Sequence, residues 1–467
     1  MNNDIADIGI KVVITTPPSD AEIMESYMPS MWYEDDKGKS HLNENAFAEA
    51  FRDVNHLQYN NGLFYTRVGK TTEESLSRDV WESIKDIGIK QDVERTTKKL
   101  IGAVKLASTV NGLYTNENLV PFDNGDFYVD TWEFHGDEYS PSPHRLPAPL
   151  LLEFETMPNF RKWLKDLFYE DDVKVIQEYL GYCLVPTTKA QKALFLVGEG
   201  GAGKSVLGVI LETILGDAMI STPNTQEFLQ DKFKLPELEH KLVLYDDDLD
   251  NSALSGTGLY KKLITNNLSI MADRKYGQPF KFTPCVKLVS CCNEMLTSIY
   301  DNTNGFYRRL LPILIKPIAK DFVPDLHFYD KIRAESKGIL QWALIGLKRL
   351  IDNGWVLSES DRTKEYLSQK KSIGNHFPDF MDAVFEADEN SNVTTAEIMS
   401  LYQVWCRRNA CEARKSRAVQ TWLADNAEKY HMVKNNHILQ GGKEVRGYSG
   451  IKCKAAWANS PGKIQLI

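Results

Sequence analysis

The stretch LFLVGEGGAGKS, residues 194–205, joins an apolar run to a loop that fits the pattern G-x-x-x-x-G-K-[ST] at every fixed position. Apolar residues at 206–215 follow it, so a strand is expected to enter the loop and a helix to leave it. Glycines let backbone N–H groups converge on phosphate oxygens, and the helix N-terminus adds the positive end of its dipole. The stretch therefore predicts a nucleotide site in an α/β protein. Its binding residues are expected to be Gly198, Glu199, Gly200, Gly201, Ala202, Gly203, Lys204 and Ser205.

Two residues of this loop have separate expected roles. Lys204 is expected to reach the β- and γ-phosphates of ATP, and the hydroxyl of Ser205 to ligate Mg²⁺. The alternative is a glycine-rich turn without a ligand, which the flanking strand and helix disfavour. ATP and Mg²⁺ are therefore the expected cofactors.

A second apolar run, KLVLYDDD at residues 241–248, ends in three carboxylates. A phosphate-loop enzyme needs one carboxylate beside Mg²⁺ and another that polarises the attacking water. We assign Asp246 to the metal side and Asp247 to the base, with Asp248 as the alternative if the assignment shifts by one residue. An acidic loop after a strand is common by itself, but after a phosphate loop it favours a catalytic role.

Two further signals follow along the chain. Asn293 comes directly after the apolar run at 285–292 and is predicted to orient the lytic water, although an asparagine there is often only a turn residue. Arg308 and Arg309 precede the apolar run at 310–315. One of them is predicted to offset transition-state charge on a neighbouring subunit's nucleotide, which requires an oligomer. The alternative is a surface arginine pair in a salt bridge.

Between the acidic run and Asn293, residues 268–282 read as a hairpin with a cationic and aromatic tip. Arg274 and Lys275 suit phosphates of a single strand, and Tyr276 suits a sugar or base. An ordinary solvent-exposed hairpin is the alternative.

The alternation of apolar runs and helical patterns from residue 190 predicts an α/β core with a parallel sheet. Strands are predicted at 194–197, 242–245 and 286–292. The turn-rich passage at 111–149 is predicted to be an irregular connector or boundary. Four segments are expected: a mostly helical N-terminal region of unknown role, a helical collar or oligomerisation region, the motor, and a DNA-binding domain, at 1–115, 116–189, 190–360 and 376–467.

The last segment is predicted to be winged-helix-like, because two helices precede a β-pair around Gly441 and Gly442. A recognition helix and a wing would contact DNA, and the alternative is a set of solvated charged helices that pack on the motor. The predicted DNA contacts here are Arg414, Lys415, Arg417, Lys443 and Arg446.

Composition sets few limits. The chain has 467 residues, which predicts two to four domains, and a net charge of −9. Its 42% hydrophobic and 25% charged residues are normal for a soluble globular protein. A DNA-binding protein needs local rather than overall positive charge. Its seven cysteines form no zinc or disulfide pattern, and neither a secretory signal nor an apolar membrane span is apparent. We therefore expect a cytoplasmic protein with reduced thiols and no membrane partner.

Taken in order, these motifs resemble superfamily-3 DNA helicases, an AAA+ subclass, of the phage, plasmid and poxvirus primase–helicase type. The resemblance covers about residues 115–355 and is carried by GEGGAGKS, LVLYDDD, KKLITNNLSIMADRKYGQPFKF, KLVSCCNE and GFYRRLLPILI, and by WLKDLFYEDDVKVIQEYLGYCLVP and GILQWALIGLKRLIDNG.

The resemblance implies a hexameric ring around one DNA strand, ATP between subunits, a moving hairpin around Lys275 and 3′→5′ translocation. It makes Lys204 and Ser205 the Walker A pair, Asp246 and Asp247 the Walker B acids, Asn293 the sensor, and Arg308 or Arg309 the arginine finger. The family often has Glu at the second acid, where this chain has Asp, so which acid is the base stays open.

The expected function is thus a replicative helicase that opens a phage or mobile-element origin and acts on single-stranded, forked and origin DNA. About 115 residues precede the resemblance, which is short for a primase, so no priming is expected and a separate primase or other replication protein is needed. The alternatives are an AAA+ protein remodeller, a small-molecule kinase, and an ATP-switched origin-binding protein without processive unwinding.

Overall fold

Five parallel strands form the central sheet in the computed structural model of the protein. Nearly every strand residue is buried, as expected where helices cover both faces of a parallel sheet. The three strands predicted from the sequence are present within one residue of their expected ends, so the α/β core is confirmed. In spatial order the strands are Ile220–Ser221, Val243–Asp246, Lys287–Cys292, Ala193–Val197 and Leu310–Leu314.

The structure describes residues 9–14, 18–60, 62–66, 69–87, 92–110, 115–136, 138–140, 142–222, 225, 228, 231, 233–249, 258–265, 268–273, 275, 278–295, 304–319, 323–374, 377–409, 413 and 416–458. They fall into two compact units. The first contains Met1–Asn251, Gly258–Met295 and Arg308–Thr363, and the second contains Ser252–Thr257, Leu296–Tyr307 and Lys364–Ile467.

One apolar core is shared by the central sheet and the helices within residues 158–215 and 328–352. Apolar residues recur along one face of each helix, which buries that face against the strands or against another helix. The helices around the sheet are Pro158–Leu167, Glu170–Cys183, Val206–Leu215, Gly258–Thr265, Phe328–Ala334 and Ser336–Asp352, with 3₁₀ turns at Asp217–Met219 and Leu235–Leu238.

The passage that we predicted to be an irregular connector contains a sheet. Leu119–Phe122, Gly125–Tyr128 and Glu133–Gly136 form an antiparallel meander, and Lys11–Ile14 pairs with its last strand in parallel. A buried ion pair between Arg145 and Asp126, 2.9 Å apart, holds the turns around it. Only the second half of the segment 116–189 is therefore helical, and a strand from the segment 1–115 crosses the boundary that we predicted between the two.

The N-terminal segment has its own apolar core among the residues of its helices and short strands. Ser19 and Glu22 form a capping box, and Asn43 and Thr72 cap the next two helices. The helices are Asp20–Met31, Glu44–Val54, Glu73–Asp86 and Val93–Ala107, and the strands are Trp32–Glu34, Ser40–Leu42, Gln58–Asn60, Leu63–Thr66 and Gly69–Thr71.

The second unit contains two helices followed by a hairpin, as predicted, and an additional helix and strand before them. The hairpin turns at Gly441 and Gly442, both with positive φ, which suits a two-residue turn between paired strands. Its elements are Asn304–Tyr307, Phe377–Val384, Phe385–Thr394, Thr395–Arg408, Ser416–Asp425, Glu428–Tyr430, Val433–Gln440, Lys443–Cys453 and Ala455–Ala458. A further helix, Asp361–Gly374, precedes Phe377–Val384 in the chain.

Candidate active site

The phosphate loop lies at the carboxyl edge of the central sheet, between the strand Ala193–Val197 and the helix Val206–Leu215. Gly198 N–H donates to the carbonyl of Cys292 on the adjacent strand at 3.1 Å, which fixes the start of the loop. Gly201 and Gly203 have φ of 79° and 89°, a region that favours glycine. The loop therefore has the backbone that the sequence pattern requires.

Lys204 lies folded over this loop. Its Nζ donates to the carbonyls of Gly198 at 2.5 Å and Glu199 at 2.8 Å, and it lies 3.5 Å from Oδ1 of Asn293. Only 8% of Lys204 is exposed. An ammonium group held by weakly charged acceptors at this position can transfer its hydrogen bonds to phosphate oxygens.

The acidic strand Val243–Asp246 presents its carboxylates on two sides. Asp246 is buried, and its Oδ2 accepts a hydrogen bond from the backbone N–H of Thr225 at 2.8 Å. Asp247 is exposed, and its Oδ1 accepts a hydrogen bond from the Tyr245 hydroxyl at 2.5 Å. Asp248 is exposed in the same turn. Because strand side chains alternate, Tyr245 and Asp246 face opposite sides of the sheet.

Tyr245 faces the helix that follows the phosphate loop. A Cβ at Gly208 of that helix would lie 2.5 Å from the Tyr245 ring, so the ring fills the space that the glycine leaves. The Tyr245 hydroxyl also lies 3.4 Å from Sγ of Cys291. Burial, helped by the Asp247 carboxylate, raises the pKa of the Cys291 thiol to about 12, and the Tyr245 hydrogen bond and Lys204 oppose this rise. Asp247 and Lys204 thus act electrostatically on the same buried group.

Asn293 follows the strand Lys287–Cys292, which lies between the phosphate-loop strand and the acidic strand. The three strands are parallel, so their carboxyl ends meet at one edge of the sheet. The structure therefore brings Lys204, Asn293 and the acidic turn together, although they are up to 89 residues apart in the chain.

The arginine pair lies at the amino ends of the strands, whereas the phosphate loop lies at their carboxyl ends. Arg308 and Arg309 precede Leu310, which pairs with Ala193 at the start of the phosphate-loop strand. Five residues of strand separate that end from the loop, which is about 16 Å at 3.3 Å per residue. Arg308 is exposed, with Nη1 3.3 Å from Oε1 of Gln191, while Arg309 is partly buried. The structure thus does not bring these arginines to the chain's own phosphate loop.

The predicted hairpin is present as Ile270–Ala272 paired antiparallel with Phe280–Phe282. Lys275 is exposed, and Arg274 and Tyr276 lie outside the described residues. Met271 is 54% exposed, and the rings of Phe280 and Phe282 stack at 5.7 Å. The exposed Met271 and the half-buried ring pair were not predicted from the sequence, although the aromatic residues were visible in it.

In the second unit, Arg417 lies exposed on the helix Ser416–Asp425, and Lys443 and Arg446 lie exposed on the hairpin. Arg414 and Lys415 are outside the described residues. Within the part of the chain that the structure describes, three or more His, Cys, Asp or Glu side chains do not gather into a metal site. Across the same residues, no helix has the length and apolarity to cross a membrane.

Comparisons with known proteins match the region that contains the phosphate loop and the acidic strand. A family described only as "Family of unknown function (DUF5906)" matches residues 196–309, a span that runs from the phosphate-loop strand to the arginine pair. The "Putative helicase L207/L206" of Acanthamoeba polyphaga mimivirus is 28% identical over 244 residues, which cover 47% of this chain. The match covers 25% of that protein, so the chain spans about a quarter of the length of this curated relative.

Solved structures of the C-terminal region of NrS-1 also match. Two apo A-form structures cover 84% of this chain, and 93% and 96% of their own, at TM-scores of 0.46 and 0.47 and identities of 14% and 13%. The chain is thus similar over about half its length to a viral protein named as a helicase, and over its motif region to a family without an assigned function.

Proposed function

We propose that this chain is an ATP-driven DNA helicase that assembles as a ring and opens or unwinds a phage or mobile-element origin. Its motifs resemble those of the superfamily-3 AAA+ type. The proposal rests on one observation: Lys204, Asn293 and the acidic turn all lie at the carboxyl ends of neighbouring parallel strands. The similarity to a viral protein named as a helicase supports DNA unwinding as the work that ATP hydrolysis drives.

The residues present fit Mg²⁺ and ATP. Positive-φ glycines shape the loop, Lys204 is held at its mouth, and the Ser205 hydroxyl begins the following helix without capping it. Backbone N–H groups of the loop would hold the phosphates, and Ser205 with an acidic side chain would hold the metal. When bound, Mg²⁺ supplies neutralisation of the phosphate charge. Asn293 and whichever of Asp246 and Asp247 does not hold the metal would orient the attacking water.

The two faces of the acidic strand favour a different division of roles from the one that the sequence led us to expect. Asp247 shares the Tyr245 face, toward the phosphate-loop helix, and Asp246 accepts from Thr225 on the other side. We therefore assign the metal side to Asp247. Asp247→Asn is then expected to raise the Mg²⁺ concentration required for hydrolysis, whereas Asp246→Asn is expected to lower the turnover rate at saturating Mg²⁺.

A ring is proposed because the arginines and the phosphate loop lie at opposite ends of the strands of one sheet. An arginine that cannot reach its own nucleotide can complete the site of a neighbouring subunit in a head-to-tail assembly. The exposed Arg308 is better placed than the partly buried Arg309 to do so. Six subunits and 3′→5′ movement rest on the family resemblance.

Two surfaces are proposed to contact DNA. The hairpin that contains Lys275 would follow a single strand, and the second unit, with two helices and a hairpin, would bind origin DNA as a winged helix. Arg417 would lie on the recognition helix, and Lys443 and Arg446 on the wing.

The test is ATP-dependent strand displacement on forks with a single 3′ or 5′ tail. We expect displacement from the 3′-tailed fork, lost in Lys204→Ala and kept in Lys98→Ala, which removes an exposed lysine paired with Glu94. Displacement from the 5′-tailed fork alone would refute the direction. DNA binding that depends on ATP, without displacement, would favour the ATP-switched origin-binding protein, and ATPase indifferent to DNA would refute the proposal.

A further inference from the structure

A tryptophan far from the phosphate loop in the chain holds the loop's backbone. The indole Nε1 of Trp163 donates a hydrogen bond to the carbonyl of Gly203 at 3.0 Å. Trp163 lies on the helix Pro158–Leu167, 40 residues before Gly203, and 4% of it is exposed. A buried indole N–H aimed at one loop carbonyl is a specific contact rather than general packing.

The helix that carries Trp163 is fixed at both ends. The Glu335 carboxylate accepts from the backbone N–H of Asn159 at 2.9 Å and of Phe160 at 2.8 Å, which caps the first turn. At the other end, the backbone N–H of Lys316 donates to the carbonyl of Leu167 at 2.8 Å. Because Lys316 follows the edge strand of the central sheet, the helix cannot shift without disturbing that sheet.

The indole itself also has little freedom. Its ring lies against Phe160, with ring centres 5.8 Å apart, and edge-on to Phe168, with ring centres 5.0 Å apart. The position of Nε1 is therefore set by rigid neighbours, and the Gly203 carbonyl must point to it.

The direction of this carbonyl matters for a phosphate. The Gly203–Lys204 peptide is planar and trans, so its C=O and N–H point in opposite directions. Fixing the carbonyl toward Trp163 directs the N–H of Lys204 to the other side of the loop. Gly203 has a φ of 89° and no Cβ, so its own backbone freedom does not fix the orientation of this peptide, and the Trp163 hydrogen bond is a contact that does. A reversed peptide would present a carbonyl oxygen to an anion.

We propose that Trp163 is a positioning residue that holds the Gly203–Lys204 peptide in the orientation that binds the nucleotide's phosphates. This inference rests on the proposed nucleotide site. The helix before the motor thereby becomes part of the phosphate-binding machinery, and its ligand is the polyphosphate chain rather than the base or sugar.

The test uses the full-length protein and the Trp163→Phe variant, which keeps an aromatic ring and removes the N–H. The matched control is Trp342→Phe, which removes an indole that also packs on Phe160 at 5.0 Å. We expect the KM for ATP to rise by about three- to tenfold in Trp163→Phe, as for the loss of one hydrogen bond, with kcat changed less than about twofold. Binding of adenosine, which has no phosphates, should not change.

Equal KM values for ATP in the wild type and in Trp163→Phe would overturn the inference. So would equal weakening of ATP and adenosine binding, or the same rise in KM in Trp342→Phe, because either result indicates a general structural effect. If Trp163→Phe does not fold, benzothienylalanine at position 163 keeps the shape of indole and replaces only its N–H. Failure of the wild type to bind ATP would instead refute the proposed function itself.

Discussion

Tyr245 connects the end of the acidic strand with the helix that follows the phosphate loop. Its ring occupies the space beside Gly208, and its hydroxyl donates to Asp247 at 2.5 Å. A hydrogen bond to a charged carboxylate is stronger than one between neutral groups and fixes its orientation. The single tyrosine thus sets the position of an acid that lies in an exposed turn.

We expect Tyr245→Phe to lower the kcat for ATP hydrolysis by about tenfold at limiting Mg²⁺ and much less at saturating Mg²⁺, because Asp247, which is proposed to hold the metal, loses the donor that orients it. The KM for ATP should stay within about twofold, since Lys204 and the loop are unchanged. Steady-state kinetics with Tyr128→Phe as a control distinguish this role, because that hydroxyl contacts Glu138 away from the motor. An unchanged kcat at limiting Mg²⁺ in Tyr245→Phe would contradict the role.

A buried histidine makes stability depend on pH. Burial first, and then the charges of His240 and Lys287, hold the pKa of His144 well below its usual 6.5. Its Nε2 lies 3.9 Å from Sγ of Cys285. The folded protein keeps this histidine neutral, whereas the unfolded chain binds a proton below pH 6.5. Its contribution to the free energy of unfolding is therefore present above pH 6.5 and is lost as the pH falls.

We expect the free energy of unfolding to fall between pH 6.5 and 5.5 less steeply in His144→Leu than in the wild type. The difference should approach about 1.4 kcal/mol per pH unit, the value for one proton. Urea denaturation at pH 7.5, 6.5 and 5.5 measures it, and titrating groups that do not interact with His144 cancel in the comparison. Parallel pH profiles would show that His144 is protonated in the folded protein or does not act through its charge.

At the level of elements, two glycines allow the helices Glu170–Cys183 and Ser336–Asp352 to touch along their backbones. A Cβ at Gly181 would lie 2.4 Å from the carbonyl oxygen of Ala343, and one at Gly346 would lie 2.0 Å from that of Gln177. Both obstacles are backbone atoms, which cannot move aside as a flexible side chain would. The close pair supports the core that the phosphate-loop strand also shares.

We expect Gly346→Ala to lower the free energy of unfolding by about 1–3 kcal/mol, since the added methyl group must push two helices apart. The control is Gly102→Ala on the helix Val93–Ala107, where a Cβ would meet nothing within 4 Å. That change should raise stability by about 0.5–1 kcal/mol through helix propensity. Urea denaturation checks both values, and a neutral Gly346→Ala would show that the helices can separate at little cost.

The elements that the sequence predicted well are those whose signal is local. The phosphate loop, the acidic strand and the hairpins each carry their pattern within about fifteen residues. The meander between Leu119 and Gly136 was missed because its turns resemble those of a linker, and its strand partner Lys11–Ile14 lies far away in the chain. The Trp163 contact to Gly203 leaves no local signal either, because it depends on how two elements pack.

At the level of the whole molecule, the phosphate loop and the arginine pair, which are the two halves of the proposed site, are separated by the length of the strands of the central sheet. The phosphate loop follows Val197 at one edge, and the arginines precede Leu310 at the other. A single chain therefore presents one half-site at each end of its strands. Repetition of one contact between such chains would generate complete sites only at subunit boundaries.

Mixing two inactive variants tests this arrangement. Lys204→Ala and Arg308→Ala are each expected to have little ATPase activity, but an equal mixture should regain about a quarter of the wild-type activity. In a random ring that fraction of boundaries joins an intact lysine to an intact arginine. A mixture no more active than its components would place the arginine's role within one chain, and Arg407→Ala serves as an exposed-arginine control.

The parallel pairing of Lys11–Ile14 with Glu133–Gly136 has a consequence for biosynthesis. Lys11 and Glu133 are 122 residues apart, so the first strand is synthesised long before its partner. At 5–20 residues per second the wait is on the order of 6–25 s, during which the intervening helices have time to fold. The nascent chain thus holds one unpaired strand until the meander is complete, and a chaperone that binds extended apolar segments would have its longest opportunity there.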